Sequence, residues 1–287
     1  MELYQIYHPL TATPFERDIS YIEEPPCDAL KPYVRCFWGS PAPYLRRAGE
    51  PLPGKLVVPD TCMDLIFTVN FTQNTVGCFF CGIDDRTFHS QGRAVRTELV
   101  STFAVRFYAW SAALFAEDSM RGMQNARVDG AAQFGRLVRG IGERLFDVTS
   151  WDGRVALAQS CLWCCFHKKR VNRTINDVMA AMLPGRGTLS VAELSRSVHI
   201  STRQIERAFS ENIGISPKRL SSLVRYQYLW QEMLLTPRFD VQDAVLRYGY
   251  ADQAHLLREF KRFHGMLPGE AYRYAMARRS HEECKRI

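Results

Sequence analysis

Between Lys55 and Tyr108 the apolar positions come in short runs: Lys55–Val58, Asp64–Asn70, Val76–Cys81 and Leu99–Tyr108, all rich in Val, Ile, Phe and Thr. Turn formers separate them at Pro53-Gly54, Asn70 to Asn74, Asp84-Asp85 and Gln91-Gly92. Short β-branched and aromatic runs between such breaks predict strands, so residues 1–110 read as mostly β, fitting a compact barrel or sandwich. After Trp110 the period changes. Ser111–Gln124 holds no proline and predicts a helix as far as Gly122. Phe134, Leu137, Val138, Ile141 and Leu145 then fall at helical spacing. A third helix is expected over Asp152 to Lys169, with Val155, Ala158, Leu162 and Cys165 on one side. These helices could pack on the strands or against a second copy of the chain.

Further along, the pattern repeats itself. Ile205, Arg207, Phe209, Gly214 and Pro217 recur 51 residues later as Leu256, Arg258, Phe260, Gly265 and Pro268. Upstream, Val191, Leu194 and Ser195 recur 50 residues later as Val241, Ala244 and Val245, so one turn is a residue longer in the second copy. Each copy predicts helix, turn, helix. The first runs Val191–Val198, His199-Ile200, then Thr202–Ser210 with Ser201 as N-cap. The second runs Val241–Tyr248, Gly249-Tyr250-Ala251, then Gln253–Phe263 with Asp252 as N-cap. Ile205 and Phe209 face inward in one copy, and Leu256, Leu257 and Phe260 in the other. Leu220–Leu235 predicts a helix joining them.

Charge sharpens this reading. Residues 1–165 carry 16 Lys/Arg and 18 Asp/Glu, a balance of −2, whereas residues 166–287 carry 21 and 12, a balance of +9. The whole positive balance lies with the repeat, which suggests a polyanionic partner such as nucleic acid. A major groove admits one helix, whose first turns can reach base edges. No signal-peptide pattern opens the chain and no apolar run spans a bilayer, so a cytoplasmic protein without a membrane partner is expected. Nine cysteines without small-scaffold spacing point to reduced thiols.

The stretch Leu189 to Tyr274 resembles the AraC/XylS family of bacterial transcription regulators, above all in YGYADQAHLLREFKRFHGMLPGEAYR from Tyr248 to Arg273. The resemblance implies an α+β protein in two parts. Residues 1–165 would form an effector-sensing or dimerisation domain, a small cupin-like β-barrel to residue 110 with helices over 111–165. Residues 166–287 would form an all-α domain of two helix-turn-helix units joined by a long helix. The run His167-Lys168-Lys169-Arg170 marks the passage between them. The resemblance also implies base-facing roles for Arg203, Glu206 and Arg207, and for Gln253, Ala254, His255 and Arg258. Ser201, Thr202, Lys218 and Lys261 become phosphate contacts, which position a reader without reading sequence. Two departures stand out: His199 where the family has Gly, and Ser195 and Val245 where it favours Ala, so the first unit's packing is expected to be looser or shifted. Double-stranded operator DNA is the implied partner. RNA polymerase and a second copy of the chain are further candidates, and no cofactor is expected.

The N-terminal part more weakly resembles sensing domains of the same family, in ALKPYVRCFWGS, LVVPDTCMDLIF and FAVRFYAWSAALF. Trp38, Phe67, Phe103, Phe107 and Trp110, with Asp60, Asp64 and Arg106, form a candidate effector pocket, apolar with a few polar anchors. Most of these aromatics would equally serve as core. Cys161, Cys164, Cys165 and His167 suggest a thiol- or metal-responsive regulator as an alternative, although buried Cys commonly behaves as a small hydrophobe. A cysteine alkyl-transfer enzyme fused to a DNA reader is a second alternative. No local Cys-His pair supports it, and common phosphate-loop and metalloenzyme motifs are missing, so no enzyme activity is expected.

Overall fold

In the inner strand Cys62–Asn70 every second side chain is buried: Met63, Leu65, Phe67 and Val69 are fully inside. That alternation follows from the period of two in a strand, and the architecture is built around it. The computed structural model describes residues 2–10, 21–49, 55–90, 95–236 and 239–284. The expected turns at Pro53-Gly54 and Gln91-Gly92 lie outside the described residues. Helix α1 (Leu3–Ile6) precedes strands β1 (Ile22–Glu24), β2 (Val34–Gly39), β3 (Tyr44–Arg46), β4 (Lys55–Val57), β5 (Cys62–Asn70), β6 (Thr75–Cys81), β7 (Phe88–Ser90), β8 (Glu98–Tyr108) and β9 (Arg127–Asp129). The main sheet is antiparallel in the order β1-β2-β8-β5-β6-β9, with β3 paired to the outer end of β8. β4 and β7 pair separately. Among the described residues no pairing closes this sheet, so the expectation of a barrel gives way to an open sheet.

One face of the sheet is covered by α2 (Gly130–Gly142) and α3 (Trp151–Cys165). Phe134 of α2 packs against Phe80 and Phe107, and Trp151 of α3 against Phe103. Leu137, Ile141 and Leu145 are buried with them, as the helical spacing predicts. The stripe therefore packs on the protein's own sheet, which removes it as the surface for a second copy. Arg154 is also buried on α3, donating from Nε to the Val148 carbonyl and from Nη1 to Ser101 Oγ.

The helix expected over Ser111–Gln124 is absent. Only Ala112–Leu114 makes a short 3-10 turn, and the chain then loops to β9. Gly122 and Asn125 adopt positive φ there, which an α-helix excludes, and the Met120 amide donates to the Glu211 carbonyl outside the segment. The absence of proline permitted a helix without requiring one.

The remaining helices are α4 (Arg173–Met182), α5 (Val191–Val198), α6 (Thr202–Asn212), α7 (Pro217–Leu235), α8 (Val241–Arg247), α9 (Gln253–His264) and α10 (Pro268–Cys284). Helix α4 was not foreseen. It buries Ile175, Val178, Met179 and Met182. Helix α7 is the spine: Leu220, Leu223, Val224, Tyr226, Leu229 and Trp230 are buried along it. The first residues of the chain lie on it too, with the Leu10 amide donating to Gln227 Oε1 and Gln231 Nε2 donating to the His8 carbonyl.

His264 ends α9 in the core beside Tyr226, with the Tyr hydroxyl 2.8 Å from Nδ1. Burial pulls its pKa down to about 4. An unfolded His titrates near ~6.5, so below that pH the unfolded chain takes a proton that the folded chain refuses. This contribution to stability is complete above pH ~6.5 and falls away as the pH drops to about 4, by about 3 kcal/mol. His264→Phe should flatten that part of the decline, read by urea unfolding at about pH 7, 5.5 and 4. A pH profile parallel to the parent's would show that His264 is not the group responsible.

Candidate nucleic-acid interface

The first reader helix is set by its N-cap. Ser201 Oγ accepts from the Gln204 amide while Gln204 Oε1 accepts from the Ser201 amide, a capping box that fixes where α6 begins. Ile205, Ala208 and Phe209 are buried, which leaves Thr202, Arg203, Glu206 and Arg207 exposed on the other side. In the turn before it, His199 adopts φ 55° and ψ 37°. This left-handed conformation is uncommon without glycine. Ser195 helps to hold it: its carbonyl accepts from the Ile200 amide, and its hydroxyl donates to the Ile200 carbonyl at 2.6 Å. The two departures from the family pattern in this unit thus occur together in one turn.

The second unit is pinned more deeply. Gly249 takes the positive φ of 62°, and Asp252 caps α9 by accepting from the His255 amide. Arg225 of α7 donates from Nε and Nη2 to Glu259 Oε1 at 3.0 and 2.6 Å, with its guanidinium 4.3 Å from the centre of the Tyr250 ring. Gln253, Ala254 and Arg258 are exposed. His255 is half-buried: its ring packs edge-on to Tyr250 and its Nδ1 accepts from the Ala251 amide. Lys218 and Lys261 are exposed at the starts of α7 and the late turns of α9. Each reader helix therefore presents its expected residues outward except His255, which is half-buried against Tyr250. The spine between them, 19 residues long, spans about 28 Å, against the repeat of about 34 Å between successive major grooves.

The far ends of both reader helices are held by the sheet domain, which the sequence reading missed. The loops after β6 and before β9 are knitted together, the Gly82 amide donating to the Ala126 carbonyl and the Asn125 amide to the Ile83 carbonyl. From this platform the Met120 amide donates to the Glu211 carbonyl at the end of α6. The Thr87 amide and hydroxyl both donate to the Phe263 carbonyl at the end of α9, at 3.0 and 2.6 Å. Gly214 follows α6 at φ +81°, and a Cβ there would sit 2.3 Å from the Met120 carbonyl oxygen. At the platform's centre Asp85 is buried and accepts from Gln124 Nε2, Asn125 Nδ2 and Arg219 Nε. Burial alone would raise its pKa, but the hydrogen bonds from Asn125 and Arg219 and the Arg219 charge hold it below the ordinary carboxylate value.

The candidate effector residues divide across the sheet. Arg106 donates to both oxygens of Asp64, at 2.9 Å each, and Trp38 Nε1 donates to the same carboxylate. Asp60 stands 3.7 Å from Arg106 Nη1. Burial pushes its carboxyl up to about 7 despite the pull of Arg106. Phe67, Phe103 and Phe107 are fully buried on the opposite, helix-covered face, and Trp110 donates from Nε1 to the Pro32 carbonyl. The structure thus brings Trp38, Asp60, Asp64 and Arg106 together and leaves the aromatics in the core. Of the thiols, Cys165 is buried, Cys161 half-buried and Cys164 exposed, while the His167 amide donates to the Leu114 carbonyl. Burial raises the pKa of Cys161 and of Cys165. Among the described residues no group of three or more His, Cys, Asp or Glu is placed to hold a metal, and no helix is long and apolar enough to cross a membrane.

Residues 194–274 match the family model of a helix-turn-helix domain, over both units just described. The chain thus carries a helix-turn-helix domain of the AraC type. Its C-terminal part is an AraC-type DNA-binding domain, and the protein is a transcription regulator. Residues 22–129 match a family described as a domain of unknown function (DUF6597). No curated protein sequence matches the chain. Among solved structures, ToxT from Vibrio cholerae is similar over 82% of this chain and 97% of its own, at 12% identity and a TM-score of 0.39. ToxT from Vibrio cholerae O395 bound to (E)-4-(8-methylnaphthalen-1-yl)but-3-enoic acid is similar over 83% of this chain and 99% of its own, at 11% identity and a TM-score of 0.38.

In this AraC-type regulator the platform makes a direct prediction. Arg219→Met removes the one cation that reaches the buried Asp85 from α7, and should cost about 2–4 kcal/mol in urea unfolding of the full chain. Adding Asp85→Asn removes the stranded charge and should recover part of the loss. A single variant as stable as the parent would show that this ion pair does not hold the sheet domain to the readers.

Proposed function

We propose that this AraC-type regulator reads a specific double-stranded operator with α6 and α9, and that a small-molecule effector held by residues 1–165 controls the reading by residues 166–287. One observation carries the DNA half: Arg203, Arg258, Lys218 and Lys261 are exposed and have no side-chain partner among the described residues. Cations on the reader helices and at the start of α7, free of internal pairing, are available to bases and phosphates. Arg203, Glu206 and Arg207 would read one groove, and Gln253, Ala254, His255 and Arg258 the next. Arg offers a two-pronged donor to guanine, and Gln can pair with adenine. Ser201, Thr202, Lys218 and Lys261 would position the duplex through its phosphates.

The effector half rests on the polar cluster of the sheet. Asp60 Oδ2 and Arg106 Nη1 are both buried and both lack a hydrogen-bond partner. A ligand hydroxyl or amide placed between them, donating to one and accepting from the other, would satisfy both. Unsatisfied buried polar groups are costly, so such a ligand gains from completing them.

The reader assignment is tested on an operator selected from random duplexes. Arg258→Ala should cost about 1–3 kcal/mol of specific binding at fixed salt while binding to scrambled duplex changes little. Equal discrimination by parent and variant would refute the assignment of Arg258 to a base.

A further inference from the structure

A second concave place in the molecule differs in chemistry from the sheet's polar cluster. Where the loop before β9, the linker and the end of α6 meet, an open cleft of about 640 Å³ lies between them. Its volume is within the range of small-molecule sites, about 300–1,000 Å³. Four cations line it from two separate stretches of chain: Arg121 from the loop, and Lys169, Arg170 and Arg173 from the linker and the start of α4. Two carboxylates, Asp118 and Glu211, oppose them. Ala113 and Val171 are its apolar contributors, which leaves little for a lipid or an aromatic ring to bury.

The fold engages these cations to different degrees. Lys169 is exposed and has no side-chain partner among the described residues. Arg173 reaches Asp177 on its own helix at 3.4 Å, with its side chain 93% exposed. Arg170 is the exception, donating to the Glu117 and Asp118 carbonyls and so tying the linker to the sheet domain. Arg121 is held loosely, 3.4 Å from Glu211, which also accepts from Arg207 Nε at 3.0 Å. One carboxylate on α6 is thus shared between a cation of the cleft and a cation on the reader face.

We propose that this cleft binds a small phosphorylated molecule, and that its occupancy opposes DNA binding by the first reader. A phosphate dianion offers what free cations and a polar lining select: compact charge and several acceptors. When it draws Arg121 away, Glu211 is left to Arg207 alone and holds that side chain back from the duplex. This coupling rests on the placing of Arg207 at a base in the preceding section; the binding site does not. The pairs are exposed, so the coupling is expected to be a few-fold. By linkage, operator DNA must weaken the ligand by the same factor.

The test titrates the full chain with inorganic pyrophosphate in a calorimeter, in parent, Lys169→Ala/Arg173→Ala and Arg139→Ala forms. Arg139 is an exposed cation of α2 outside the cleft. Saturable one-to-one binding is expected, weakened at least about tenfold in the double variant and unchanged in Arg139→Ala, with thermal unfolding of all three alike. Absent binding, or binding indifferent to the double variant, overturns the site. The salt dependence of operator affinity supplies a second readout. An unchanged slope in the double variant supports a small-molecule site, whereas a slope smaller by about two would place these cations on DNA phosphates and overturn it. Pyrophosphate should weaken operator binding a few-fold in the parent and not in Arg121→Ala. Loss of that coupling with binding retained refutes the shared-carboxylate link alone, and the Arg258→Ala discrimination assay reports separately on the reader.

Discussion

A buried carboxylate needs donors on every side, and Asp85 finds them in two domains at once. Gln124 and Asn125 come from its own platform, while Arg219 comes from the first turn of α7. The arrangement locks because neither partner can leave cheaply: a lone charge in this place would forfeit its hydration without replacement. Once Arg219 is fixed, α7 is fixed, and with it both reader helices packed along α7. The platform then caps the last carbonyls of α6 and α9 through Met120 and Thr87. The ends of helices are where unsatisfied carbonyls accumulate, so these bonds satisfy a need of the reader while joining it to the sheet.

The consequence is a division of labour along each reader helix. The N-terminal turns, set by the Ser201 and Asp252 caps, carry the exposed side chains proposed to contact DNA. The C-terminal ends belong to the sheet domain. A displacement of the loops between residues 82 and 87 or 118 and 126 must therefore move the ends of α6 and α9, because direct hydrogen bonds leave no slack. Packed and hydrogen-bonded networks carry coupling between distant sites, and the knitted loops form such a network between the sheet and the reader helices.

Much of the reader was legible in the sequence because the repeat states it twice. Gly214 and Gly265, 51 residues apart, both end reader helices at positive φ, at 81° and 78°. The caps at Ser201 and Asp252 followed from residue type, and the inward sets of Ile205 and Leu256 from helical period. The effector cluster was only half legible. Phe103 and Phe107 differ in parity from Arg106 on β8, so the alternation itself puts them on opposite faces; grouping them by chemistry overrode that rule. Helix α4 also carried its signal, with Ile175, Val178, Met179 and Met182 at helical spacing, but the basic run before it read as linker. The platform was illegible for a firmer reason. Asp84-Asp85 has the composition of any turn, and nothing local says that Arg219, 134 residues away, will reach into it.

The two readers end up under different physical control. In the second, Arg225 and Glu259 are 12% and 7% exposed and Arg225 lies over the Tyr250 ring, so salt and solutes scarcely reach the pair. In the first, Arg207, Glu211 and Arg121 form an open chain with side chains 77%, 36% and 65% exposed. Screening acts on exposed charges and largely spares buried ones. His199, held in a left-handed turn by Ser195, adds a conformation that costs more than the glycine at the matching turn of the second unit. The second unit is thus the fixed anchor of the pair. The first is the one whose charges remain open to whatever ion occupies the cleft beside them, and any graded control of DNA affinity should enter through that half.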